Sequence, residues 1–337
     1  MDKTVSKPYV TVFMAVYNGD LYIKDSIQSV LDQSYSDFEL LIINDGSTDA
    51  TVAIIEQFND SRIRLINNET NKGLSYTREL GIQQAQGIYY AILDSDDIAS
   101  PDRLQLQVAY FESHPEVHLC GGHARIIDGK GAETGFMKID TGTVQDMGIN
   151  MLFGNPFINS SLMMNRETIL AVGGYRNFAP AEDYDLSYRI SLKYGVANLD
   201  HVLVSYRVHD TNISTLQSDG MVAAEKDIIS EMHSNLGIPS DQTLIRLHHE
   251  IICHTFKGKE PSGYIKLLEL LKASNSKVKI YPERRFNEIL FEKWFAIVRQ
   301  KSNKNIFSLY FNNELFEWSF VTPKQIRKLI KQALFNR

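Results

Sequence analysis

Three carboxylates directly follow a long apolar run. Residues 88–93 are β-branched, aromatic and aliphatic, which predicts a strand buried on both faces, and Asp94, Asp96 and Asp97 come next. Ligands of open parallel sheets bind beyond the carboxyl ends of the strands. Mg²⁺ and Mn²⁺ are commonly held there by one or two carboxylates and substrate phosphates. The stretch therefore indicates a site for a metal-bound diphosphate, although a solvated turn before a helix starting at Pro101 would need the same residue types.

Two more groups are expected at this edge of the sheet. Asp45 lies in the loop after the second predicted strand, and Arg78 lies near the start of a helix that follows residues 71–73. Asp45 could instead be an ordinary turn residue that bonds its own backbone, and Arg78 an ordinary exposed helical cation. If both loops reach one edge, they supply acidic groups and one positive charge for a nucleotide.

A candidate catalytic residue and a candidate metal ligand lie further along the chain. Asp183 is in a carboxylate-rich segment that opens a helix, where the macrodipole alone would favour acidic residues. In a functional interpretation it is a general base, a role that needs a free carboxylate near the reacting hydroxyl. His209 ends the last predicted strand and could add a nitrogen ligand to Mn²⁺ or contact a diphosphate.

Alternating strands and helices must position these groups. The apolar patterns predict strands at residues 9–16, 38–43, 62–66 and 88–93, with helices over 23–31, 51–58 and 74–87 between them. This alternation predicts right-handed crossovers and a doubly wound, mainly parallel α/β sheet. The alternation then weakens, and the later predictions are a helix at 101–113, a strand at 117–121, a hairpin strand at 124–127, a strand at 161–164, helices at 166–172 and 183–194, and strands at 196–199 and 202–208. Residues 134–156 fit no pattern and are a candidate active-site loop.

Composition limits the class of protein. The 337 residues are 43% hydrophobic, enough for one large or two unequal domains, and we expect residues 1–218 to form the α/β domain and 219–337 a helical region. A net charge of −6 and a pI near 5.9 argue against a nucleic-acid partner. The two cysteines, Cys120 and Cys253, have no disulfide or zinc spacing. Without an apolar leader or a spanning segment of about 20 residues, a cytoplasmic location is expected.

Six segments, in order and in register, are similar to those of a known family. They are residues 10–18, 44–49, 71–75, 93–97, 182–186 and 206–209, and together they resemble family 2 glycosyltransferases of the GT-A fold over residues 8–215. The resemblance implies inverting transfer of a sugar from a nucleotide diphosphate, most often UDP, to an acceptor hydroxyl. It also implies a Mn²⁺ or Mg²⁺ cofactor, a saccharide or lipid-linked saccharide acceptor and a role in polysaccharide biosynthesis.

The resemblance also assigns residues by position. The base pocket would comprise Ala15, Tyr17 and Asp45; the nucleotide would contact Arg78, Asp94 and Ser95; the metal would bind Asp96 and His209; and Asp183 would be the base. Asn44 stands where the family commonly has an aspartate, but Asp45 beside it is retained.

The C-terminal helical region lies outside the resemblance. Its last helix has apolar residues on one face and basic residues around them, namely Ile326, Leu329, Ile330, Ala333 and Leu334 with Lys324, Arg327, Lys328, Lys331 and Arg337. Such a helix can lie on an anionic membrane, or its apolar stripe can pack on the domain or on a second subunit of a homo-oligomer, which we prefer. His248, His249 and His254 suggest a metal, but no carboxylate or cysteine spacing supports one, so a solvated helix is expected.

Two other functions share some of these features. A sugar nucleotidyltransferase also uses an α/β sheet and metal-binding aspartates, but it would need a glycine-rich basic phosphate loop after the first strand, which residues 17–20 do not supply. An inactive sugar-binding or scaffold protein would not need every catalytic carboxylate, and all are present here. The transferase is therefore the preferred interpretation.

Overall fold

The chain divides into two compact units. The computed structural model describes residues 7–176, 178–209, 218–257, 259–300 and 306–335. One unit comprises Met1–Met151 with Asn155–Met221, and the other comprises Leu152–Gly154 with Val222–Arg337. The short segment 152–154 thus belongs with the C-terminal helices, whereas the sequence prediction places it in the first domain.

The first half of the α/β unit has the predicted parallel arrangement. Strands β1 (Val10–Val16), β2 (Phe38–Asn44), β3 (Ile63–Asn67) and β4 (Tyr89–Ile92) pair in the order β3-β2-β1-β4, all parallel. The connecting helices are α1 (Ile23–Leu31), α2 (Thr51–Ile55) and α3 (Leu74–Gln84). Every residue of β2 is buried, as expected of a strand covered on both faces. The predicted α/β class and mainly parallel winding are confirmed.

The second half of the sheet is mixed. It contains β5 (Ile98–Ala99), β6 (Val117–Ile127), β7 (Glu133–Met137), β8 (Met163–Asn165) and β9 (Gly195–Arg207). Strand β8 runs antiparallel between β4 and β6, while β9 is parallel to β6 and antiparallel to β5. The β6–β7 hairpin is at the predicted place.

Several predicted boundaries were wrong. Strands β6 and β9 were each predicted as two strands, with breaks at residues 122–123 and 200–201. The register between them shifts at Gly122/His123 and both strands continue, which is how a bulge interrupts pairing without ending a strand. Residues 134–156 contain most of β7 and helix α5 (Val144–Asn150), whose N-cap Thr143 accepts a hydrogen bond from the Asp146 N–H.

The remaining helices of this unit follow the sheet closely. Helix α4 (Arg103–Ser113) begins two residues after the predicted start, because residues 101 and 102 form a turn that follows β5. Helix α6 (Arg166–Ala171) is capped by the Asn165 side chain, which accepts from the Thr168 N–H. Helix α7 (Glu182–Ser191) leads into β9, and short 3₁₀ turns lie at Met151–Phe153 and Asn159–Ser161. The last of these turns places polar side chains beside the end of β4.

The second unit is helical, as predicted. Its helices are α8 (Ser218–Asn235), α9 (Gln242–Ile252), α10 (Ser262–Val278), α11 (Glu283–Val298), α12 (Ile306–Phe311) and α13 (Pro323–Phe335). Trp294, Phe286 and Phe291 are almost completely buried and form its core. Within the part of the chain that the structure describes, no helix is long and apolar enough to cross a bilayer.

The histidines of this unit do not form the solvated face that the sequence suggested. His248 is fully buried, where its Nδ1 lies 2.9 Å from Nε2 of the buried His233 and its Nε2 lies 2.8 Å from the Leu152 carbonyl. This contact ties segment 152–154 to α9 within the helical unit. Only His254, just beyond α9, is exposed as predicted.

Candidate active site

The acidic loop is held by the turn that precedes β8. Both Asp94 oxygens accept from the Asn159 side-chain amide at 3.0 Å, and Oδ2 also accepts from the Ser160 hydroxyl at 2.8 Å. Ser160 Oγ in turn accepts from the Asp94 N–H. These contacts are possible because β8 inserts beside β4 in the sheet. Asp94 is therefore fixed in direction, with about a third of its side chain exposed at the sheet edge.

A buried ion pair links this loop to α7. Arg78 on α3 donates to Glu182 Oε1 at 2.6 Å, and its other terminal nitrogen lies 3.8 Å from Asp94 Oδ1. Burial lowers the pKa of Arg78, but Glu182 and other nearby acids raise it more, so the guanidinium stays charged. Removing one partner of such a pair leaves the other charge buried and unpaired. The pair therefore holds α3, α7 and Asp94 in one place.

Asp183 lies beside this pair. Its side chain is partly exposed, and Oδ2 accepts from the Asn155 side-chain amide at 2.9 Å. Burial raises the pKa of Asp183 to about 6, with Arg78 acting to lower it and Glu182 to raise it. A carboxylate that titrates near neutrality can accept a proton at physiological pH, as a general base must.

The end of β9 clamps the other side of the acidic loop. Arg207 donates from its backbone N–H to Asp97 Oδ1 at 2.7 Å and from Nε to the Asp96 carbonyl at 2.8 Å. Two residues later, His209 Nε2 lies 2.9 Å from Asp96 Oδ2, and the His209 ring packs against Tyr22. Burial and the nearby Asp94 raise the pKa of Asp96, while His209 lowers it.

Asp96 and His209 fit a divalent cation. Adjacent ligands in an octahedral shell with bonds near 2.1 Å are about 3.0 Å apart. The 2.9 Å between Asp96 Oδ2 and His209 Nε2 is a hydrogen-bond length that is also close to this spacing, so a cation would take the place of the proton between them. One carboxylate and one imidazole leave most of the shell for phosphate oxygens and water, which suits Mn²⁺ or Mg²⁺. Asp94 is instead directed to Asn159, Ser160 and Arg78.

Asp45 has a different position from the other acids. It is buried, and its oxygens accept from Asn68 Nδ2 at 2.7 Å and from the backbone N–H groups of Lys72 and Gly73 at 2.9 Å each. Gly73, with φ +90°, opens α3. Asp45 therefore anchors the start of the helix that carries Arg78.

Three predicted contact residues line the same edge. Ala15, near the end of β1, is partly exposed, and Tyr17 just beyond it is half exposed. Ser95 Oγ lies 3.5 Å from where a Cβ of Gly19 would be, so the acidic loop packs against the loop after β1. The register pairs Val16 with Asn44, and β1 separates β2 from β4. Two strand spacings, about 10 Å, thus separate the loops that carry Asp45 and Asp94.

The structure thus brings the predicted residues to one edge of the sheet. Arg78, Asp94 and Asp183 form one cluster, Asp96 pairs with His209 on the β9 side, and Asp45 lies beyond β1. The sequence prediction gave no role to six residues that position this site, namely Asn68, Asn155, Asn159, Ser160, Glu182 and Arg207. The small polar run at 159–161 before a predicted strand was a signal for two of them, whereas nothing local identifies Asn155.

Comparison with known sequences agrees with this geometry. Residues 11–170 match the family described as Glycosyl transferase family 2. An uncharacterized glycosyltransferase of Haemophilus influenzae is 30% identical over 263 residues, covering 72% of this chain and 81% of the relative. UDP-Glc:alpha-D-GlcNAc-diphosphoundecaprenol beta-1,3-glucosyltransferase WfgD of Escherichia coli is 30% identical over 208 residues, covering 61% of this chain and 79% of the relative.

Solved structures show the same fold. TarS 1-349 of S. aureus in complex with UDP-GlcNAc has a TM-score of 0.57 at 16% identity, covering 96% of this chain and 89% of that one. Mannosyltransferase PcManGT of Pyrobaculum calidifontis in complex with GDP-Man and Mn2+ has a TM-score of 0.54 at 15% identity, covering 98% and 88%. The sheet has the GT-A fold of glycosyltransferases. The chain belongs to glycosyl transferase family 2.

Proposed function

We propose that this protein is an inverting glycosyltransferase that moves a sugar from a UDP-sugar to a hydroxyl of a growing glycan or lipid-linked saccharide. The environment of the Asp183 carboxylate is the main support for this proposal. Its carboxylate is partly exposed, oriented by Asn155, and has a pKa of about 6 beside the Arg78–Glu182 pair. It is thus a base placed beside the acidic loop expected to hold the donor.

The proposed chemistry is a single displacement. The acceptor oxygen attacks the anomeric carbon from the face opposite the leaving group, and its proton passes to the Asp183 carboxylate. The bond between the anomeric carbon and the diphosphate oxygen breaks with its electron pair on that oxygen, so a nucleoside diphosphate leaves and the configuration inverts. Asn155 orients the base, and Arg78 balances the acids around it.

Asp96 and His209 would hold the metal. Mn²⁺ or Mg²⁺ bound there supplies positive charge next to the departing diphosphate and orients it. Their 2.9 Å spacing supports this role. Arg207 Nε donates a hydrogen bond to the Asp96 carbonyl and so holds the acidic loop against the end of β9. Because His209 is two residues after Arg207, Asp96 and His209 are adjacent even without the cation.

The donor contacts follow the sheet edge. Ala15, Tyr17 and Asp45 would form the base pocket, while Arg78, Asp94 and Ser95 would contact the rest of the nucleotide. UDP is favoured because WfgD is named for UDP-Glc and TarS binds UDP-GlcNAc, although PcManGT binds GDP-Man. The name of WfgD also includes a diphosphoundecaprenol acceptor, which favours a lipid-linked saccharide and polysaccharide assembly.

One assay separates the candidate functions. The protein is incubated with UDP-Glc, UDP-GlcNAc or GDP-Man, with and without Mn²⁺, and release of nucleoside diphosphate is measured. A glycosyltransferase releases it slowly by donor hydrolysis and faster with a suitable saccharide acceptor, and NMR of the product then gives the anomeric configuration. Activity that requires pyrophosphate or a nucleoside triphosphate would indicate the nucleotidyltransferase. Donor binding without any release would indicate a binding protein.

We also propose that α13 contacts an anionic membrane surface. The sequence favoured packing of this helix on protein, and Leu329 is buried as such packing requires, but Ile330 remains 44% exposed with Lys324, Arg327 and Lys331 exposed beside it. This combination of an apolar and a basic surface fits anionic lipid headgroups. Replacing Lys324, Arg327 and Lys331 by Glu should abolish flotation of the protein with anionic vesicles. Its flotation with neutral vesicles should not change. Unchanged flotation would mean that α13 only packs on protein.

A further inference from the structure

Two helices of the C-terminal unit bring together three side chains of different chemistry. His249 on α9 places Nε2 2.9 Å from Oε2 of Glu225 on α8 and 3.5 Å from Sγ of Cys253, the residue that ends α9. The donor atoms of the three residues lie within 4.8 Å of one another. The sequence showed no carboxylate or cysteine spacing that would support a metal at these histidines, but the fold brings Glu225 and Cys253 to His249. The partners are 24 residues upstream and four downstream of His249.

We propose that Glu225, His249 and Cys253 form a Zn²⁺ site. Zinc takes oxygen, nitrogen and sulfur ligands at about 2.0–2.3 Å, so neighbouring ligands of a tetrahedral site are about 3.3–3.8 Å apart. The 3.5 Å between Nε2 and Sγ lies within this range. The 2.9 Å between Nε2 and Oε2 is a hydrogen-bond length and would widen by about half an ångström around the ion. His249 and Cys253 occupy i and i+4 positions, on one face of the helix.

The ligand set selects the metal. A thiolate with an imidazole and one carboxylate suits Zn²⁺, whereas Mg²⁺ and Ca²⁺ prefer oxygen ligands. The pair proposed for the catalytic cation, Asp96 and His209, contains no sulfur. The two sites are therefore chemically distinct and can be measured separately.

The exposure of the three proposed ligands indicates the role of the site. Cys253 is exposed, while Glu225 and His249 are mostly buried, so a fourth ligand such as water can reach the ion from the Cys253 side. Zn²⁺ would join α8 to the end of α9 and close the intervening loop. We therefore infer a metal that stabilises the helical unit and takes no part in sugar transfer.

Co²⁺ provides a specific probe of this site in the full chain. The apoprotein, prepared with a chelator, is titrated with Co²⁺, and the thiolate-to-Co²⁺ charge-transfer band is recorded in the near ultraviolet. The other cysteine, Cys120, is fully buried, so only Cys253 can produce the band. We expect one equivalent of band-forming Co²⁺, displaced by Zn²⁺, and a higher Tm with Zn²⁺ than with the chelator.

Three variants complete the test. Cys253→Ser should abolish the band, and Glu225→Gln should weaken metal affinity at least about 10- to 100-fold, the loss seen even when outer-shell partners are removed. The matched control is His254→Asn, because His254 is the neighbouring exposed histidine and Asn tolerates its φ of +54°. It should bind like the wild type. Absence of the band in the wild type, or its persistence in Cys253→Ser, would overturn the site without affecting the proposed sugar transfer.

Discussion

Replacing Asp183 by Asn tests the proposed base most directly. The substitution keeps the shape of the side chain and removes the negative charge that accepts the acceptor proton. General base catalysis contributes about 10²- to 10⁴-fold, or about 3–5 kcal/mol of transition-state stabilisation. We therefore expect kcat to fall by that factor. The affinity for the donor should change little, because Asp94, Asp96 and Asp45 are intact.

The pH dependence gives a second, independent measure of the same group. Burial raises the pKa of Asp183 to about 6, and the base acts only when deprotonated. In the wild type, kcat/KM should thus fall below pH 6 by about tenfold per pH unit, with about one tenth of the enzyme active at pH 5. This acid limb should be absent in Asp183→Asn. In Asn155→Ala, loss of a hydrogen bond to the ionised form should raise the pKa and move the limb to higher pH.

The assay is steady-state sugar transfer at several pH values, with donor affinity measured by thermal shift. The control is Asp102→Asn, which removes a carboxylate from an exposed turn where the side chain makes no helix-capping hydrogen bond. It should retain wild-type kcat and pH profile. Wild-type turnover in Asp183→Asn, or an unchanged acid limb, would refute the base assignment.

Three further predictions address the metal, the buried ion pair and the histidine pair. Asp96→Ala should raise the Mn²⁺ concentration for half-maximal activity at least about tenfold, and an unchanged Mn²⁺ titration would contradict the proposed ligand. Glu182→Gln leaves Arg78 buried without its closest partner and should lower the free energy of unfolding by about 3–5 kcal/mol in urea titrations, whereas a loss below about 1 kcal/mol would argue against the pair. Burial lowers the pKa of His233 to about 4 and that of His248 to about 3. Below pH 6.5 these two histidines therefore bind protons in the unfolded chain but not in the folded one. The free energy of unfolding should fall as the pH is lowered, by at most about 1.4 kcal/mol per pH unit for each histidine. The raised pKa of Asp183 acts in the opposite direction over this pH range, so the unfolding free energy is measured at pH 6.5 and 5 in the wild type and in His248→Asn. An identical change with pH in the two proteins would contradict this.

Local sequence patterns determined the parallel half of the fold. A parallel strand covered on both faces must be a continuous apolar run, so β1, β2 and β4 could be identified from their own residues. Because such strands end at a common edge, the position of Asp94 and Asp96 after residue 93 was sufficient to predict that both carboxylates lie at that edge of the sheet. The last helical region and the β6–β7 hairpin were predicted from patterns equally local.

The tertiary structure alone decided which groups meet. Arg78 pairs with Glu182 across 104 residues, and Asp96 meets His209 across 113. The sequence predicts a strand at 161–164 but not its neighbours, and the insertion of β8 beside β4 brings Asn159 to Asp94. Pairing partners and register depend on packing between distant segments, which no local pattern specifies. For the same reason the sequence marked Asp183 as a candidate base, but only the folded chain supplies the burial and the neighbours that raise its pKa.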